Sequence, residues 1–367
     1  MAMLDPPIRL KERVERAVAL GIARLSGRVP VRLSGEPPVT ADGQTLDPHV
    51  QLVRALRRKR NPHGLCEPTP EIGRARFRRE SLLFGGPRTE VGSVGDLEIP
   101  GPGGPLRVRH YAPQFASPRP ITVYLHGGGF VIGDLETHDA ACRILCRDAD
   151  VHVLSVDYRL APEHPFPAAL EDAHAALRWA RANAAELGGD SARVALGGDS
   201  AGGNLTAVVS RLTGADEAPF AQLLIYPATD STTVRPSAAM FGEGYFLSPA
   251  DRAGFNHHYL HGTGVGVEDW RVSPLLAPDL SGLPPALVVS AGFDMLRDEG
   301  DAYADALAAA GTPTRRLCAD AHGHGFLHMT GVSPGARASM VRVAEEWRAL
   351  LDGTGAPAEG TTGGTAG

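Results

Sequence analysis

The sequence predicts an α/β protein built on a mostly parallel, doubly wound sheet of eight strands flanked by helices. Two observations carry this. From about residue 94 to 352, short β-branched runs alternate with helical patterns, the rhythm of repeated strand–helix–strand units. The interior runs are continuous Val/Ile/Leu stretches rather than alternating ones, as strands covered on both faces require.

The expected strands are 94–99, 106–112, 121–127, 151–157, 192–198, 221–226, 286–292 and 312–318. Helical spacing of apolar residues intervenes at 136–149, 168–187, 201–213, 299–310 and 335–351. Before this region, Arg9 to Leu25 and Pro48 to Lys59 show helical spacing in a basic segment broken by proline turns. The stretch from Ala228 to Asp269 is aromatic and turn-rich and interrupts the alternation, which suggests an insertion above the sheet. The tail 353–367 has nothing to bury and is expected to be disordered.

Composition narrows the function classes. Apolar residues make up 43% and charged residues 21%, as in soluble globular chains. The formal net charge of −6 gives no electrostatic reason to bind nucleic acid. The basic runs LDPHVQLVRALRRKR and GRARFRRE interleave charge with apolar residues, which reads as a solvated helix face rather than a nucleic-acid arm. No run reaches the ~18 apolar residues of a membrane span, and the charged N-terminus lacks a clean secretory signal core. A cytoplasmic protein is expected. The four cysteines include no CxxC pair. Cys142 and Cys146, four apart on a helix, could join two metal ligands, but buried reduced thiols are the preferred reading.

The chemistry is concentrated in four places. Gly198-Asp199-Ser200-Ala201-Gly202 fits G-x-S-x-G between a strand and a helical pattern. That turn would lift the Ser200 hydroxyl above the sheet edge, with glycines where side chains would clash. The pattern is weak alone, and Gly331-Val332-Ser333-Pro334-Gly335 is a second match. That copy lacks a preceding strand, and Pro334 has no N–H to donate. Ser333 and Pro334 read instead as N-cap and first residue of the last helix.

His126-Gly127-Gly128-Gly129 follows a strand, so its backbone can turn N–H groups toward a bound carbonyl. It lacks the lysine and spacing of a phosphate loop. Asp294 lies just past the strand 286–292, while Asp298, Glu299 and Asp301 open the following helix, where acids suit its dipole. The base lies in AHGHGFLHM. His322 and His324 have nearly the same placement, and the chain alone leaves that choice open. A metal site from His322, His324 and His328 is the competing reading, disfavoured by irregular spacing and the lack of a second carboxylate cluster. The order serine, aspartate, histidine is the one expected of an α/β hydrolase.

Together, His126-Gly127-Gly128-Gly129-Phe130, DYRLAPEHPFPAAL at 157–170, GDSAGGN at 198–204, Asp294-x-Leu296-Arg297-Asp298 and His324-Gly325-Phe326 resemble the hormone-sensitive-lipase family of esterases, or bacterial family IV. The resemblance implies an α/β-hydrolase fold with a helical cap. Residues 1–90 and about 228–269 would form that cap, and 91–352 the catalytic domain. It implies a triad of Ser200, Asp294 and His324, since the family's base precedes Gly-Phe. The N–H groups of Gly128, Gly129 and Ala201 would form the oxyanion hole. Met295 stands where the family often has proline, and the segment before Leu46 is longer than usual for it.

The expected function is a serine carboxylesterase for short acyl esters, acting on a small-molecule ester without metal or organic cofactor. A capped pocket lined by Phe84, Phe241, Tyr245 and Phe246 would favour small acyl groups. Alternatives are deacetylation of a specialised metabolite, amide cleavage, or ligand reception without catalysis. The last is disfavoured because serine, acid and histidine are all present. A homodimer remains open.

Overall fold

The computed structural model describes residues 10–60, 64–115, 118–214 and 217–353. Among the strands, a short hairpin of β1 (Thr40–Ala41) and β2 (Gln44–Thr45) comes first. Eight further strands form one sheet: β3 (Ser93–Gly101), β4 (Gly104–Ala112), β5 (Arg119–Leu125), β6 (His152–Val156), β7 (Gly189–Asp199), β8 (Gln222–Ile225), β9 (Ala286–Phe293) and β10 (Thr314–Gly323).

The order across the sheet is β10-β9-β8-β7-β5-β6-β4-β3. The β3–β4 and β4–β6 pairs are antiparallel and the remaining neighbours parallel. All eight expected strands are present. The last runs on to Gly323, so His322 lies within it, and β7 starts three residues before its expected start at 192.

Both faces are covered. Helices α6 (Ala168–Ala182), α7 (Ala201–Leu212) and α10 (Arg297–Ala309) pack on one side. On the other lie α5 (Asp139–Ala149) and α11 (Pro334–Leu351), where Trp347 is fully buried and donates to Thr122 Oγ1 at 2.9 Å. Each fully buried Leu, Val or Ile of β5, β8 and β9 contributes about 1.5–3 kcal/mol, so this sandwich is the rigid base of the site.

The N-terminal residues add α1 (Leu10–Ile22), α2 (Arg28–Ser34), α3 (Pro48–Arg60) and α4 (Pro70–Phe84). Arg9, the expected start of the first helical pattern, lies outside the described residues, as does 354–367 of the tail. Asp47 explains how this segment is anchored. Its Oδ1 caps α3 by accepting the N–H of His49 and of Val50, both at 3.0 Å, and also accepts the Ser333 hydroxyl. The arginines of the two basic runs are largely taken up internally: Arg54 and Arg58 by Glu36, Arg74 by Glu163, Arg78 by Asp134 and Arg79 by Glu15.

Within 228–269 lie α8 (Pro236–Phe241) and α9 (Pro249–Leu260). Ser248 and Asp251 close a reciprocal capping box at the start of α9. Arg252 then ties α9 to the catalytic core. It binds Glu299 at 2.7 Å and 3.1 Å, and Glu299 Oε1 accepts the Thr229 N–H at 2.9 Å. Among the described residues, no helix is long and apolar enough to cross a membrane.

Candidate active site

The parallel order reverses between β5 and β7, the point where open α/β sheets leave a crevice at their carboxyl ends. Ser200 stands there, between the end of β7 and α7, with φ 53° and ψ −115°. A non-glycine residue at positive φ is strained, and the surroundings hold it there. The Ser200 N–H donates to Ile225 O at 2.8 Å. A Cβ at Gly202 would sit 1.8 Å from Leu125 O, and one at Gly198 would sit 2.5 Å from the same atom. The glycines of the motif are thus required by the backbone of β5.

His324 follows β10. Its Nε2 is 3.0 Å from Ser200 Oγ and its Nδ1 is 2.8 Å from Asp294 Oδ2. Asp294 lies just past β9, is 1% exposed, and accepts the Leu296 N–H at 2.9 Å through its other oxygen. With Nδ1–H given to the carboxylate, Nε2 is left to accept the serine proton. Burial pulls the imidazole down, but the charge and hydrogen bond of Asp294 outweigh it and leave the His324 pKa above its ordinary value.

The rivals go elsewhere. His322 is buried, stacks on Phe326 and faces Asp47 and Gly335. His328 donates from Nδ1 to Thr137 O at 3.2 Å. Asp298 accepts the Ser237 N–H at 2.7 Å, Glu299 holds Arg252, and Asp301 interacts with Ser290. Ser333 caps α11, accepting the Ala336 N–H at 3.0 Å.

Gly128 (φ 123°) and Gly129 (φ 60°) adopt backbone that side chains resist. Added Cβ atoms would meet Ile132 O at 2.1 Å and the Phe255 ring at 2.2 Å. Among the described residues, no acceptor takes the N–H of Gly128, Gly129 or Ala201, and all three line the cavity above Ser200.

Asp199 has a part that the G-x-S-x-G pattern does not convey, since the motif leaves its position free. It is 2% exposed and accepts from Gly127 N–H and Tyr124 OH, both at 2.9 Å, and from Tyr226 OH at 3.3 Å, with His138 Nε2 at 3.2 Å. Burial alone would raise this carboxyl, but His138 and Tyr124 hold it well below the ordinary range. It joins the Ser200 turn to the glycine loop.

The cavity is about 120 Å³ and contains Ser200 and His324 in its wall. Phe84 and Phe246 line it as expected, but Phe241 and Tyr245 do not. Phe241 packs in the core against Phe293 and Tyr245, where burial of its ring is more favourable than facing the site. Phe77 of α4 and Phe255 of α9 take their place, with Phe130, Ile132 and Leu247.

A sheet of this order, with a serine on a strained strand–helix turn facing histidine and aspartate from later strand ends, defines an α/β hydrolase. A family model described as the alpha/beta hydrolase fold matches residues 122–328. The carboxylic ester hydrolase LipN of Mycobacterium tuberculosis is 47% identical over 328 residues, 87% of each chain. An ethyl acetate hydrolase of Pseudomonas putida is 36% identical, covering 81% of this chain and 95% of its own. Among solved structures, the Ser161Ala mutant of LAE6, an α/β-hydrolase enzyme from the metagenome of Lake Arreo, superposes with a TM-score of 0.79. It is 41% identical over 84% of this chain and 99% of that one. The chain belongs to this α/β-hydrolase family, whose members of hormone-sensitive-lipase type its motifs resemble.

Proposed function

We propose that this protein is a serine carboxylesterase that hydrolyses short-chain acyl esters through an acyl-enzyme on Ser200. The observation that carries the reading is the continuous contact from Ser200 Oγ through His324 to Asp294, beside three N–H donors that line the cavity. His324 takes the serine proton as Oγ attacks the ester carbonyl. The developing oxyanion turns to the N–H groups of Gly128, Gly129 and Ala201, each of which supplies ~10²–10³ in rate in comparable sites. His324 then returns the proton to the leaving alcohol, and a water repeats the sequence to release the carboxylic acid. Asp294 keeps Nδ1 protonated and stabilises the imidazolium.

Within 1–90 and 228–269, α4 and α9 act as the cap, since they contribute Phe77 and Phe255 to the roof of the cavity. An apolar cavity of about 150 Å³ takes a benzene-sized group. One of about 120 Å³ therefore suits acetyl to butyryl chains or a compact aryl alcohol. The names of the relatives, an ethyl acetate hydrolase among them, support the same size class. The four unpaired thiols support a reducing, cytoplasmic setting.

A panel of p-nitrophenyl esters from acetate to palmitate, with butyryl anilide and a long-chain triglyceride beside them, tests this. The expected result is highest kcat/KM at two to four carbons. Faster turnover of palmitate, the triglyceride or the anilide overturns it.

A further inference from the structure

We propose that His138, Asp199 and His328 form a binding site for a late first-row divalent cation, Zn²⁺ in the first place, and that an ion bound there shuts the ester site off. One ring nitrogen of each histidine and a carboxylate oxygen of Asp199 all lie within 4.8 Å of one another. His138 Nε2 and Asp199 Oδ1 are 3.2 Å apart. Two ligands at roughly 2.0–2.2 Å from one tetrahedral ion are themselves roughly 3.3 Å apart, so this edge of a site is already set. Two imidazoles and a carboxylate are a donor set that zinc, copper, nickel and cobalt share, while calcium and magnesium want oxygen alone.

The hydrogen bonds also leave a lone pair for a metal. The Nδ1–H of His328 is committed to Thr137 O, which leaves Nε2 as the nitrogen with a lone pair. His138 Nδ1 is held against Thr137 Oγ1 at 2.8 Å, the kind of outer contact that orients a ligating imidazole. Asp199 and His328 both line the substrate cavity, so an ion can reach the site without unfolding the chain.

The consequence follows from what Asp199 already does. Its Oδ1 accepts the Gly127 N–H at 2.9 Å. An ion on that oxygen competes with this hydrogen bond and frees the loop carrying Gly128 and Gly129. His324 is not one of the ligands, so the site is separate from the Ser200–His324–Asp294 contact. Binding stands without the esterase reading; only the inhibition rests on it.

Equilibrium dialysis of metal-free protein against ZnCl₂, with bound zinc quantified, reads the site without turnover. Wild type and His324→Gln should each bind one zinc per chain. His328→Gln and Asp199→Asn, checked for folding by circular dichroism, should bind at least tenfold more weakly. Zinc should suppress hydrolysis of a butyrate ester, and EDTA should restore it. Loss of zinc in His324→Gln would assign the ion to that imidazole and overturn the proposal. Equal binding in His328→Gln would assign it to surface histidines such as His257 and His261 and overturn the proposal as well. Should both site variants misfold, the visible spectrum of Co²⁺-loaded wild type decides: an intense tetrahedral band supports the site, and a weak octahedral one refutes it.

Discussion

Asp199 and Gly127, 72 residues apart, meet through a 2.9 Å hydrogen bond from the Gly127 N–H to the buried Asp199 carboxylate. The bond locks the end of β5 to the end of β7, and so sets the glycine loop against the strained serine turn. An amide in place of this carboxylate would remove the negative charge and, with its oxygen kept on Gly127 and Tyr124, turn an NH2 toward the Tyr226 hydroxyl that now donates to Oδ2. Asp199→Asn should lower kcat by about 10- to 100-fold while KM changes less than about fivefold, because the misplaced groups serve the transition state. Steady-state kinetics on a butyrate ester check this, and a pure KM effect would contradict it.

The two G-x-S-x-G serines should separate cleanly. Ser200→Ala should cost roughly 10⁴-fold or more in kcat. Ser333→Ala should leave kcat intact yet lower stability by about 1 kcal/mol, since it removes the cap of α11. Thermal melts and initial rates on the same preparations suffice. Comparable activity losses in both variants would refute the assignment.

The pH dependence follows from His324. Its pKa lies above the ordinary 6.5 in the folded chain, and only its neutral form can take the serine proton. The acid limb of kcat/KM should therefore have its midpoint above 6.5. Stability runs the other way. A raised folded-state pKa contributes stability that is present below 6.5 and lost as pH climbs through the folded value. Asp294→Asn should move the acid limb to lower pH and cut kcat. An unmoved limb in that variant means another group sets it.

Arg252 and Glu299 form a two-pronged ion pair that fastens α9 to α10. Burial raises the Glu299 carboxyl, and Arg252 opposes that rise. Arg252→Met leaves the carboxylate buried without its partner and should cost about 3–5 kcal/mol of stability by urea unfolding. Because Phe255 rides on α9, discrimination between butyrate and octanoate should also narrow. A loss under about 1 kcal/mol would show that α9 is held by its apolar contacts instead.

Much of the fold is readable because its signals are local. The strand and helix alternation of 94–352 is written in period and residue type, and every expected strand forms. Helix α4 reads from GRARFRRE only as a solvated, charged helix face, so its contribution to the site is hidden in the sequence. Its arginines are anchored by partners such as Val131 O and Glu163, and Phe77 reaches the cavity from among them. Phe241 and Tyr245 are expected in the lining but lie outside it, because aromatic residues in an insertion look alike until packing assigns them a side.

The choice between His322 and His324 shows the same boundary. Two residues apart, they take opposite surroundings, one in β10 facing Asp47 and one in the following turn facing Ser200.

What the sequence determined by itself is the steric grammar: glycines flanking Ser200 and in the loop after His126, capping residues at helix starts, and apolar runs that must be buried. The caps and apolar runs depend on neighbours within a turn or strand, and the glycines are recognisable by their motif although what they make room for, Leu125 O and the Phe255 ring, lies far along the chain. Which histidine meets the serine, which rings roof the cavity, and what Asp199 holds together were decided only by the tertiary structure. Those hydrogen bonds join residues 27 to 124 positions apart, and only the packing of sheet and helices brings such residues within range.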